Sequence, residues 1–245
     1  LNTDIFHNSN GIDRAYLLTA IKPQAKTALI VGLSTGSWAQ VLTSMPNLEK
    51  ITIIEINPAY VDFIKQHPEV SELLADDRVE IVFTDGRKYL KQHQDKNYDI
   101  ILMNTTWNWR AYASNLLSAD FLDIIEQSLA KNGVVYYNTT KSLDAYYTAQ
   151  SVYDYVYQYK FFVLGSNKPV VINQSMIENN LCELKNYKTK QPIFISQAQC
   201  KQAAEVIMSN PLLPYKDIDM IELGRVPHII TDNNMITEYK YGKGL

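Results

Sequence analysis

Residues Thr27 to Glu55 constrain the fold of this chain more than any other stretch. A short apolar run, Ala28 to Val31, leads into the turn Gly32-Leu33-Ser34-Thr35-Gly36-Ser37. A helix is expected from about Trp38 to Ser44, followed by a strand from Ile51 to Ile54 that ends on Glu55. In such a unit Gly32 permits the tight turn, and Gly36 lets the backbone at the helix start approach a ligand. The carboxylate of Glu55, 23 positions after Gly32, stands where an acid accepts the two hydroxyls of an adenosine ribose.

A dinucleotide fingerprint places further glycines in the turn, because a pyrophosphate must lie against the helix start. Here Ser34 lies between the two glycines. A nucleoside without phosphate, such as S-adenosylmethionine or its decarboxylated form, therefore fits better. A dinucleotide site, or a glycine turn kept only for folding, are the competing readings.

The pattern continues in the α/β manner. Asn57-Pro58 opens a second helix, and Val79, Ile81 and Phe83 alternate along a third strand ending in Thr84-Asp85-Gly86-Arg87. There Asp85 would accept from the exocyclic amine of adenine or cap the next helix, and the two roles are compatible. Tyr98 to Met103 reads as a central parallel strand covered on both faces. Beyond it lie Asn104, Trp107 and Trp109, polar and aromatic groups in the crevice where open parallel sheets bind ligands. A helix over Asn115 to Lys131, stopped by Asn132-Gly133, precedes a fifth strand, Val134 to Asn138.

Leu143 to about Tyr155 reads as helix and Gln158 to Leu164 as strand, with Pro169 to Asn173 as its antiparallel return. This order predicts a doubly wound α/β sheet, mostly parallel with an antiparallel final strand. The expected division is a cap segment over 1–26, a nucleoside-binding domain over 27–173 and a docked extension over 174–245. In the cap, Asp13 would cap a helix carrying Tyr16, a candidate for the substrate pocket. Six tyrosines between Tyr146 and Tyr159 are expected to pack on the sheet or at a subunit interface.

Composition narrows the partners. A formal charge of -3 gives no basic face for nucleic acid. No run of 18 apolar residues is present, so nothing in these residues is expected to span a membrane. Two cysteines, Cys182 and Cys200, make no disulfide framework, and a reducing, cytoplasmic setting is the default. The four histidines, His7, His67, His93 and His228, lack metal-ligand spacing, so no metal is expected. A start at Leu1 predicts a piece cut from a longer product.

Four pieces together resemble the spermidine synthase family, and more narrowly its bacterial spermidine synthase-like branch. They are Ala28 to Ser37, Ile54-Glu55-Ile56-Asn57-Pro58, Thr84-Asp85-Gly86-Arg87 and Thr231-Asp232-Asn233-Asn234. The resemblance implies a Rossmann-like domain of the S-adenosylmethionine-dependent transferase type. It also implies transfer of an aminopropyl group from decarboxylated S-adenosylmethionine to a diamine, as in polyamine biosynthesis. The donor contacts would be Gly32, Ser34, Gly36, Glu55, Asp85 and Gly86, with Asn104 and Asp232 at the reacting amine and Tyr16, Trp107 and Trp109 lining its pocket. A homodimer, and an upstream membrane region attached to a cytoplasmic domain, are consistent with the family.

The departures are chemical. The family carries an Asp at the end of the fourth strand, where this chain has Asn104. An amine near pKa 10 must lose a proton before it attacks, and an amide orients an amine without accepting that proton. Asp120, Asp144, Asp232 and Glu238 are the carboxylates expected to hold a dication. Without them, Asn104 with the two tryptophans would suit a methyl acceptor, and a non-catalytic nucleoside-binding module is the third reading.

Overall fold

The computed structural model describes residues 3–7, 9, 11–104, 113–139, 142–220 and 224–234. Its first helices and strands are α1 (Asp13–Ile21), β1 (Thr27–Val31), α2 (Ser37–Thr43), β2 (Lys50–Glu55), α3 (Ala59–Lys65), α4 (Pro68–Ser71) and β3 (Val79–Phe83). There follow α5 (Gly86–Gln92), β4 (Tyr98–Met103), α6 (Ala119–Gln127), β5 (Leu129–Asn138) and α7 (Leu143–Gln150). The remainder are β6 (Tyr155–Tyr159), β7 (Phe162–Ser166), α8 (Gln174–Cys182), α9 (Gln197–Met208) and β8 (Leu213–Pro214). They form two compact units, one from 1–85 with 171–210 and the other from 86–170 with 211–245.

In the first unit β1, β2 and β3 run parallel, with Val31 opposite Ile54 and Glu55 opposite Phe83. The apolar runs of β1 and β2 are buried almost throughout, as parallel strands covered on both faces require. β3 is only half-buried. Helix α1 is buried along nearly its whole length, and the Asn180 side-chain amide on α8 donates to the Ala20 carbonyl at 2.7 Å. Asn173 and Ser196 cap α8 and α9 by accepting from the backbone N–H groups of Met176 and Gln199.

Cys182 on α8 and Cys200 on α9 are joined by a disulfide, with Cα atoms 5.5 Å apart. The cysteine count had made a reducing compartment the default, and this bond counts against that inference. Closing a loop of 18 residues contributes about 3 kcal/mol by limiting the unfolded chain. Arg78 is the other fastening of this unit. It pairs with Asp76, donates to the carbonyl of Thr43 at the end of α2 and to those of Met45 and Leu48 beyond it, and stacks 3.7 Å over the Tyr187 ring. At Thr43 it thereby satisfies a carbonyl that the end of α2 leaves without a helical partner.

In the second unit β4 and β5 are parallel, and β5, β7, β6 and β8 continue antiparallel. Three expectations are corrected here. The segment Gln158 to Leu164 is a hairpin rather than one strand, turning at Lys160 with a φ of 55°. Pro169 to Asn173 therefore makes no ladder, and the antiparallel return is β7. Helix α6 stops at Gln127, and Asn132-Gly133 lies inside β5, where the register shifts between Tyr98 and Ile100.

Tyr136, Tyr137, Tyr146, Tyr153 and Tyr159 are fully buried, and burial raises the phenol pKa of Tyr137, Tyr146 and Tyr153. Tyr155 remains exposed. The expected boundaries at 26 and 173 do not coincide with the two units: α8 and α9 belong with α1, and the tail from 211 belongs with β4 to β8.

Candidate functional site

The glycine turn after β1 is built by backbone conformations that suit glycine. Gly32 and Gly36 have φ of 92° and 81°, and Ser34 between them has 50°. A side chain at Gly36 would come within 2.9 Å of Ile64 and Leu73, so Gly36 also admits the neighbouring helices to the turn.

Glu55 is 5% exposed, and both its oxygens are engaged by the backbone. Oε2 accepts from Leu33 N–H and Oε1 from Asn57 N–H, each at 2.7 Å. The Glu55 carbonyl accepts from Thr84 N–H at 3.1 Å, which brings the end of β3 alongside. Each carboxylate oxygen keeps a second lone pair, enough for two ribose hydroxyls. The carboxylate is therefore oriented before any nucleoside arrives. Asp85 is exposed just past the tip of β3. The side chains of Ile56 and Phe83, 76% and 52% exposed, stand at the tips of β2 and β3.

Tyr16 is buried on α1; its hydroxyl donates to the Ile5 carbonyl at 3.0 Å and burial raises its pKa. It lines two cavities, neither of which is lined by Gly32, Ser34, Gly36, Glu55 or Asp85. Asp13 is the first residue of α1 and is buried, and the N-cap position is Ile12.

In the second unit Gly86 is buried at the start of α5, and Asn104 is half-buried immediately after β4. Trp107, Trp109 and Glu238 lie outside the described residues. Asp232 is held by Arg87 of α5 in a two-pronged ion pair at 2.7 and 2.5 Å, and accepts from the Ser118 hydroxyl at 2.8 Å. The Arg87 guanidinium holds its carboxyl below the usual carboxylate range; partial burial opposes this and Ser118 adds to it. Asp120 accepts from Asp232 N–H at 2.9 Å. Asp144, 0% exposed, is bound by Arg225 at 3.0 and 2.6 Å and accepts from His228 N–H. Three of the four carboxylates expected to hold a dication thus fasten the tail onto α5, α6 and α7. Sequence gave no sign of Arg87 and Arg225 as their partners.

Among the described residues no three His, Cys, Asp or Glu side chains are grouped to hold a metal ion. No helix among them is long and apolar enough to cross a membrane.

A glycine turn, a strand-end acid and a mostly parallel sheet with an antiparallel edge define the α/β fold of the S-adenosylmethionine-type transferases. Solved structures share it. A spermidine synthase in complex with the transition-state analogue AdoDATO aligns with a TM-score of 0.54 at 16% identity, over 72% of this chain and 70% of that one. Human methyltransferase-like protein 13 in complex with SAH aligns with a TM-score of 0.55 at 18% identity, over 84% and 93%.

The spermine/spermidine synthase domain matches residues 17–166, more than half of the chain, and the chain belongs to that family. The polyamine aminopropyltransferase of Moorella thermoacetica is 33% identical over 113 residues, 46% of this chain and 39% of that protein. That of Streptococcus uberis is 33% identical over 119 residues, 48% and 41% respectively. The chain thus aligns with about two fifths of the length of these relatives.

Proposed function

We propose that this chain transfers an aminopropyl group from decarboxylated S-adenosylmethionine to a small aliphatic amine. The observation that carries the reading is membership of the spermine/spermidine synthase family over residues 17–166. The pre-oriented carboxylate of Glu55 beside the glycine turn supports it.

In this reading Glu55 receives the ribose hydroxyls, the backbone from Gly32 through Ser34 to Gly36 faces the nucleoside, and Asp85 with Gly86 receives the adenine amine. Ile56 and Phe83 supply apolar surface for the base. The amine nitrogen attacks the aminopropyl carbon bonded to the sulfonium. The carbon–sulfur bond breaks with its electron pair going to sulfur, leaving neutral 5′-methylthioadenosine. The new secondary amine carries the positive charge away as an ammonium, which keeps both its protons at pH 7. Because the sulfonium already supplies the leaving group, the protein's work is alignment and exclusion of water.

Asn104 orients the amine and takes no proton, so the acceptor must arrive already neutral. Asp232 acts as a fastening for the tail rather than as a base, because Arg87 already occupies both its oxygens. A cytoplasmic location and a homodimer remain part of the proposal, with the disulfide opposing the former.

Methyl transfer is the second reading, favoured by the absence of an acid at position 104 and by the shared fold of the methyltransferase-like protein. Calorimetric titration with each donor decides between them. Binding of the decarboxylated donor at least tenfold tighter, about 1.4 kcal/mol, is expected. Tighter binding of S-adenosylmethionine would reverse the assignment, and binding of neither would leave the turn as inherited architecture.

A further inference from the structure

The first unit contains two adjoining cavities of about 530 and 210 Å³ that share Ile5, Tyr16, Asn186 and Ile193. Both lie apart from the glycine turn. The larger has a wall of aromatic rings: Phe6 and Phe194 lie 4.4 and 5.9 Å from the His7 ring, and Tyr16 lies 5.4 Å from Phe194. Its size suits a small molecule.

His7 lines this cavity, is 3% exposed, and its Nε2 is buried without a hydrogen-bond partner. Buried polar nitrogens are rarely left so. Burial lowers the pKa of the imidazole, which keeps it neutral at pH 7. In the tautomer with hydrogen on Nδ1, Nε2 presents a lone pair and requires a donor.

The acidic side chains in the two linings are carboxylates placed at different ends. Asp4 lines the larger cavity, Glu69 and Glu72 line the smaller, and neither has a described Lys or Arg in its lining. These carboxylates are oriented by local donors. Phe6 N–H reaches Asp4, the Thr3 hydroxyl reaches Glu69, and the Asn186 amide reaches Glu72. His67 Nδ1 lies 3.7 Å from Glu69. Hydrogen bonds of this kind leave the negative charge in place and further lone pairs available.

We propose that these cavities together form a second binding site, outside the donor site, for an aliphatic diammonium cation. One ammonium group would donate to His7 Nε2 against the faces of Phe6, Tyr16 and Phe194, where ring quadrupoles attract cations. The alkyl chain would lie on Ile5 and Ile193, and the second ammonium would meet Glu69 and Glu72. An anion is disfavoured by all three carboxylates, and a purely apolar ligand would leave His7 unmet. The same chemistry belongs to a substrate or product amine acting as an effector and to an unrelated diamine.

The test reads His7 directly, so it succeeds or fails independently of donor binding. The full chain has four histidines, and the His7 ring signal in a proton–carbon NMR spectrum is the one lost in His7→Phe. If that variant does not fold, the signal is assigned by elimination with His67→Gln, His93→Gln and His228→Gln. Titration with 1,4-diaminobutane is expected to shift it saturably. The neutral isostere 1,4-butanediol should act at least tenfold more weakly, and Glu69→Gln with Glu72→Gln should weaken the diamine at least tenfold. A His7 signal unmoved by the diamine up to about 10 mM, weaker than any useful affinity, would overturn the proposal. So would an equal response to the diol, or an unchanged diamine affinity in the double variant.

Discussion

The carboxylate of Glu55 accepts the backbone N–H of Leu33 at 2.7 Å, tying the tip of β2 to the turn after β1 across 22 residues. With Asn57 N–H on its other oxygen, the same side chain fixes both the glycine turn and the start of the connection to α3. The turn and its acid are therefore one structural element, and a ligand binding there meets groups already in place.

Glu55→Gln tests that coupling. An amide has one acceptor oxygen where the carboxylate has two, so one of the two backbone N–H groups loses its acceptor. The expected cost is about 1–3 kcal/mol in stability, read by urea unfolding, with about tenfold weaker donor binding by calorimetry. An unchanged unfolding midpoint would show that the hydrogen bond lost with the second acceptor oxygen contributes nothing.

Asn104→Asp supplies the missing base. At pH 7 the variant should turn over about 10²-fold faster while donor affinity stays the same. The unmodified chain should keep gaining rate as pH rises toward the amine's own pKa of about 10, because only the neutral amine attacks. The variant should level off at lower pH. If Asn104→Asp is no faster, position 104 is not where the amine loses its proton.

Arg225 and Asp144 give an asymmetric pair. The carboxylate is 0% exposed and the guanidinium 16%. Removing the arginine strands a buried charge, whereas removing the acid leaves a cation that reaches water. Arg225→Ala is therefore expected to cost about 3–5 kcal/mol, and Asp144→Ala less. Urea unfolding of both variants checks the order, and a larger loss in Asp144→Ala would contradict it.

Asp232 predicts acid sensitivity of the tail. Its folded pKa is depressed below 3.8, first by Arg87. The stabilisation it contributes is complete above the unfolded value and is lost as pH falls through the lower folded value. Cleavage of the tail by an acid-active protease should rise over that window in the unmodified chain. In Asp232→Asn the pH-dependent part should be missing, and the same acid profile in both would contradict the assignment.

The legible parts were those with local causes. The runs of β1 and β2 are apolar because both faces are covered, and Gly32 and Gly36 mark a turn whose φ values are positive. The hairpin at Lys160 escaped because a lysine holds the left-handed conformation where glycine or asparagine would have signalled a turn. Helix α8 escaped because Glu178, Asn179 and Asn180 dilute its apolar face. The partners of Asp232 and Asp144 lie 145 and 81 residues away, a separation that no local pattern reports. Asp232 was therefore read as a carboxylate for substrate. The disulfide escaped for the same reason, since a cysteine count carries no geometry.

The most direct measurement is the identity of the nucleoside left after incubation of the purified chain with decarboxylated S-adenosylmethionine and 1,4-diaminobutane, read by mass spectrometry. Aminopropyl transfer predicts 5′-methylthioadenosine together with an equal amount of the aminopropylated diamine. A nucleoside that keeps its aminopropyl arm beside a methylated amine, or a donor recovered unchanged, would contradict it.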